Sequence, residues 1–133
     1  MMAVDTNVLV RFLVADDEVQ SRAVYTLFKK AEEQRMPYFV SLPVVLELFW
    51  VLESAYERSR KEIADAVEGL LRMPVLKVEG EDVIRLVLED ARHTSCDLSD
   101  LLIGRVASHA GCDGVLSFDK KACRHALFRR VHV

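Results

Sequence analysis

Apolar runs long enough to cross a bilayer are missing from this sequence. None approaches the roughly 18 residues that a membrane helix needs, so no membrane role is expected. Also missing is a basic start followed by a long apolar stretch and a small-residue cleavage site, so no secretory signal is visible and a cytoplasmic location is expected. Cysteine is scarce. Cys96, Cys112 and Cys123 are odd in number and widely spaced, which argues against a disulfide framework and fits a reducing compartment. No linker, repeat or low-complexity segment divides the chain, so one domain over residues 1–133 is expected. The net charge of −3 is too small to define a partner by itself.

What is present is apolar material in regular spacing. The chain is 51% hydrophobic, enough for a core without disulfides or a structural metal. Met1 to Val4 reads as a first strand. Residues 16–34 place Val19, Ala23, Leu27 and Ala31 at steps of four, with acids first and bases last, which predicts a helix. "PYFVS" (37–41) predicts a second strand, and Pro43 then suits the first turn of a helix running to about Glu57. Ser59 and Glu62 form a capping box for a helix over 60–72. Further strands are expected at 74–78, at 114–118 and in the terminal "RVHV". Further helices are expected over 80–93 and over 98–110, the last stopped by Gly111. Strands alternating with helices imply an α/β fold with a mostly parallel sheet covered on both faces.

The acids fall in telling places on that frame. Asp5 and Asp119 each follow a short apolar strand, and ligands of open α/β sheets bind beyond the carboxyl ends of strands. Glu47 interrupts "PVVLELFWVL" with apolar neighbours three and four residues away, where a buried charge would be costly. Asp97 and Asp100 in "CDLSDLLIG" lie three apart at a helix start and so share one side of its first turn. Singly, Asp5 reads as a turn residue, Asp97 as a helix cap and Asp119 as the cap of a short helix "DKKACRH". Jointly they describe an oxygen-rich pocket suited to Mg²⁺ or Mn²⁺.

Taken in order, "VDTNVLVRFL", the lone Glu in "PVVLELFWVL", "CDLSDLLIG" and "VLSFDKKA" resemble the PIN domain, most of all the VapC-type toxins of toxin–antitoxin pairs, over essentially the whole chain. The resemblance implies a three-layer α/β/α fold and a metal-dependent endoribonuclease. Its acidic quartet would be Asp5, Glu47, Asp100 and Asp119, with Asp97 as an accessory acid. Asp5, Asp100 and Asp119 would hold one or two Mg²⁺ or Mn²⁺ ions, lowering the pKa of a bound water for attack on a phosphodiester. Thr6 and Asn7 would support the first acid, and Ser117 stands where many relatives have Thr beside the last. Leu98 and Ser99 replace an aromatic and Ala that relatives often carry, a departure that removes no acid.

An acidic pocket repels RNA unless cations stand nearby, and Lys120, Lys121 and Arg124 follow Asp119 directly, with Arg11 a further candidate. His93-x-x-Cys96 and His109-x-x-Cys112 imitate zinc-ligand spacing. Both His lie in last helical turns that favour them anyway, and both Cys read as small core residues. Leu46, Phe49, Trp50, Leu52 and Tyr56 offer more apolar surface than a small sheet covers. The resemblance assigns that surface to an antitoxin, with a second copy of the chain completing a homodimer. The alternative function is a non-catalytic PIN-fold binding or assembly module, which would be free to lose an acid; this chain keeps all four.

Overall fold

A computed structural model describes residues 1–133, the side chain of Cys123 apart. It is a mixed fold of six α-helices and short parallel strands, in the order α1 (Thr6–Val14), α2 (Glu18–Gln34), β1 (Tyr38–Val40), α3 (Leu42–Ser54), α4 (Arg60–Leu71), β2 (Leu76–Val78), α5 (Glu81–His93), α6 (Leu98–His109), β3 (Val115–Ser117) and β4 (Phe128–Arg130). This is the α/β class that the alternation of patterns implies. A 3₁₀ turn, Ala122–Arg124, precedes β4. Among the described residues no helix is long and apolar enough to cross a membrane. Two compact units divide the chain, Met1–Glu79 and Gly80–Val133.

In the first unit β1 lies between its neighbours, parallel to β2 in the register Tyr38 with Leu76 and Val40 with Val78, and bridged in parallel to Ala3 on its other side. The expected first strand is thus a single bridge, held by Val4 N–H to Phe39 O and Phe39 N–H to Met2 O. After it comes α1, a helix the sequence pattern misses. Asp5 caps its first turn and Ala15 ends it in the left-handed region at φ 55°. Its nine residues are rich in β-branched side chains, so propensity argues weakly for helix. Burial decides: Leu9 and Val10 are 0% and 1% exposed, and α1 packs on both α2 and α3.

Two expected faces need correction. In α2 the inward residues are Val24, Phe28 and Ala31, whereas Val19 is 81% exposed. Steps of four drift around a helix of 3.6 residues per turn, so the stripe read from Val19 starts on the solvent side and reaches the core only at Ala31. In α3, Phe49 and Leu52 belong to the core at 0% and 2% exposed, while Trp50 is 64% exposed. Each such buried side chain contributes roughly 1.5–3 kcal/mol relative to exposure. The capping box of α4 is present as expected, with Ser59 and Glu62 bonding each other's backbone N–H.

The second unit is built on α5 and α6. Val83, Ile84, Val87 and Leu88 of α5 and Leu98, Leu101 and Leu102 of α6 are buried. Arg105 forks onto Asp90 at 2.6 and 2.7 Å, joining the two helices. β3 and β4 pair in parallel, Val115 with Phe128 and Ser117 with Arg130, so the last strand lies two residues earlier than "RVHV" suggests. A Cβ on Gly104 of α6 would stand 3.1–3.2 Å from Leu127 and the Phe128 ring. The missing side chain lets this segment lie on the helix. Cys96 is buried and Cys112 exposed, so only the first is the core residue expected; the side chain of Cys123 lies outside the described residues.

Candidate active site

Three acids gather in the second unit, each by a different local device. Asp119 follows β3, and its Oδ1 accepts the N–H groups of Lys121 (2.8 Å) and Ala122 (3.2 Å), capping the 3₁₀ turn as a short-helix acid should. Ser117 supports it directly, its hydroxyl accepting the Asp119 N–H at 3.0 Å. With Oδ1 engaged by backbone, Asp119 is held in one orientation with Oδ2 left for a ligand.

Asp97 occupies the N-cap position of α6, yet its side chain makes no capping bond. It meets Lys121 Nζ instead, at 3.2 Å. Asp100 follows in the first turn of the same helix and is half-buried. Its carboxyl is held above the usual range, first by burial and then by the charges of Asp97 and Asp119, with Lys121 opposing. A helix N-terminus favours carboxylates, so the neighbouring charges and burial together outweigh that help. The result is a charge-strained group of acids with one lysine as internal counterion.

Asp5 and Glu47 belong to the first unit, on helices α1 and α3 that pack together. Asp5 is exposed and accepts the Val8 N–H at 3.2 Å. Among the described residues its orientation thus comes from the α1 N-terminus rather than from Thr6 or Asn7; Thr6 is buried at 4% exposed and Asn7 faces solvent. Glu47 is exposed, which corrects the expectation of a charge in an apolar interior: its neighbours Pro43 and Trp50 are exposed as well. Sequence reasoning passed over Glu79, whose Oε1 accepts the Leu42 N–H at 2.8 Å. That bond supplies the cap which the Ser41 side chain does not make, fixing the start of the helix that carries Glu47.

Arg11 is not a free cation. Its guanidinium donates to Gln20 (2.6 Å), Asp16 (3.1 Å) and the Tyr56 hydroxyl (3.2 Å), and its pKa is raised, first by the bond to Tyr56. The candidate RNA contact is therefore committed to holding α1, α2 and the segment after α3 together. Lys120 and Arg124 are exposed.

Among the described residues no three His, Cys, Asp or Glu side chains form a ready-made metal cage. The donor set nevertheless suits a hard divalent cation. Mg²⁺ is commonly held by one or two carboxylates with water and substrate phosphate filling the remaining positions, and mutually repelling carboxylates gain most from such an ion. The PIN domain family model matches residues 2–127. Members of that family are generally nucleases, usually with divalent metals. Neither the curated proteins nor the solved structures give a significant match.

Proposed function

Because the chain belongs to the PIN domain family, we propose that it is a Mg²⁺- or Mn²⁺-dependent endoribonuclease, the toxin of a VapBC-type toxin–antitoxin pair acting in the cytoplasm as a single PIN domain. The acidic quartet in this reading is Asp5, Glu47, Asp100 and Asp119, with Asp97 accessory. The observation that carries it is the gathering of Asp97, Asp100 and Asp119 in the second unit, where Lys121 pairs with Asp97 and donates its N–H to Asp119 and the Asp100 carboxyl is held above the usual range by burial and by the two other acids, with Lys121 opposing. A purely structural acid gains nothing from such surroundings, whereas a metal ligand does.

Asp100 and Asp119 would hold the metal with Asp5. Bound there, the cation supplies Lewis-acid charge for a phosphodiester and acidifies a water for attack. The side chains do the rest. The Lys121 and Ala122 N–H groups keep Asp119 aimed, and Ser117 fixes the turn beneath it. Glu47, exposed on a helix whose start Glu79 secures, would orient a water or act as base in this reading. Lys121 balances the acids and gives RNA a first cation to approach.

A cognate antitoxin and a second copy of the chain are the proposed partners. The exposed Trp50 on α3 and the exposed Leu116 and Phe118 near β3 support them, because large apolar side chains in the open favour protein contacts. The rival reading, a non-catalytic module, is disfavoured by the presence of all four acids. The test is direct: purified protein incubated with RNA cuts it with Mg²⁺ or Mn²⁺ and stops in excess EDTA. Cutting that continues in EDTA refutes the metal mechanism.

A further inference from the structure

Beside the acid cluster, within the second unit, lies a cavity of about 470 Å³. Its lining includes Lys121, Arg124 and His125 from the segment after Asp119, His93 at the end of α5, and Thr94 and Ser95 from the segment joining α5 to α6. The volume falls in the range of ligand pockets, roughly 300–1,000 Å³. Among the described residues no carboxylate lines it.

The Thr94 hydroxyl is spent on the Asp90 carbonyl at 3.1 Å, and the remaining polar groups of the lining can donate. Leu127 N–H donates to His125 Nδ1 at 3.2 Å, so the neutral ring carries its proton on Nε2. Among the described residues the Arg124 guanidinium has no hydrogen-bond or ion-pair partner, and it is exposed. Arg129, by contrast, spends Nη1 on the Ala126 and Phe128 carbonyls. Two lining side chains are already paired with acids, His93 with Glu89 at 3.1 Å and Lys121 with Asp97 at 3.2 Å. Such a lining fits a ligand with several acceptor oxygens and negative charge. Two imidazoles add flat faces on which a base can stack.

We infer that this cavity is the subsite for the nucleotide next to the scissile phosphate in single-stranded RNA, with Arg124 binding its phosphate and the imidazoles its base. Lys121 joins the two places, since it lines the cavity and pairs with Asp97. Of the cations that follow Asp119, the structure thus singles out Lys121 and Arg124, with Lys120 outside the lining. A space of this size takes one nucleotide, and stacking its base on an imidazole needs that base to be unpaired. The inference rests on the nuclease reading for its substrate, and the test separates the two.

Fluorescence anisotropy with a labelled single-stranded octaribonucleotide, Ca²⁺ standing in for Mg²⁺, reads binding in wild type, Arg124→Ala and Lys30→Ala. Lys30 is an exposed lysine of α2 and controls for lost charge. Arg124→Ala is expected to weaken binding about tenfold and to reduce the slope of log K against log salt by about 0.7, the share of one single-strand phosphate contact. Lys30→Ala is expected to change affinity less than twofold. In Mn²⁺ the Arg124→Ala variant should raise KM about tenfold with little change in kcat. Equal effects of the two substitutions, or equal Arg124-dependent affinity for duplex DNA, overturn the subsite while leaving a cutting wild type as a nuclease. If wild type does not cut, the nuclease reading fails, and Arg124-dependent RNA binding still upholds the subsite; loss of both overturns both.

Discussion

Asp100 carries a stability signature that follows from its surroundings. Its folded pKa lies above the ordinary 3.8, so the folded state holds the proton more tightly than the unfolded chain does. That contribution is complete below pH 3.8 and is lost as pH rises through the raised value, which leaves the protein at neutral pH carrying a half-buried, repelled charge. Asp100→Asn removes the charge and keeps the shape. In EDTA at neutral pH it should melt about 3 °C higher than wild type, on the scale of several degrees per kcal/mol for a domain this size, and the gap should close on acidification. Metal should reverse the order, because a ligand at 100 times its Kd adds about 2.7 kcal/mol to the protein that binds it. Equal metal-induced shifts in both proteins remove Asp100 from the metal site. At this scale the sequence named the acids but not their settings. Spacing put Asp97 and Asp100 on one turn, and the strand-end position marked Asp119. Glu47 looked interior only because its neighbours are apolar, and an apolar neighbour can itself be exposed. Arg11 looked free because its partners Asp16, Gln20 and Tyr56 meet it only in the fold.

The helix pair of the second unit makes its own predictions. Asp90 and Arg105 form a two-pronged, partly buried ion pair with side chains 14% and 27% exposed. Arg105→Ala leaves the Asp90 charge without its partner, for which about 2–3 kcal/mol is expected, somewhat less than the 3–5 kcal/mol typical of full burial. Urea titration reads the loss; a midpoint unchanged from wild type shows that the pair contributes nothing. Gly104→Ala gains helix propensity of up to about 1 kcal/mol but drives a methyl to within 3.1–3.2 Å of Leu127 and Phe128. We expect net destabilisation, with Gly104→Val worse, and a higher melting temperature for the Ala variant would contradict this packing. Capping signals made most helices legible, since Ser59, Glu62 and Gly111 act locally. The α1 helix was not legible, because its stability comes from burying Leu9 and Val10 and from the Asp5 cap rather than from propensity. Strand ends were blurred for a related reason: strands of three residues offer one full alternation at most.

For the whole molecule, the proposed partners give the single tryptophan a diagnostic role. Trp50 is 64% exposed, so its emission should be that of a wet indole in the isolated chain and should shift to the blue when antitoxin covers α3. An unchanged spectrum in a stable complex moves the antitoxin off this helix. Light scattering is expected to report a dimer, and a strictly monomeric species at high concentration counts against it. The family was legible from motif order alone, while the partners left no local mark beyond exposed apolar side chains. The most direct measurement is the single-turnover rate of RNA cutting in Mn²⁺ for Asp5→Asn, Glu47→Gln, Asp100→Asn and Asp119→Asn, each verified as folded by circular dichroism. The account predicts that every one loses about a hundredfold or more, in line with removal of groups that stabilise charge in a transition state. Folded variants that cut RNA as fast as wild type would contradict it.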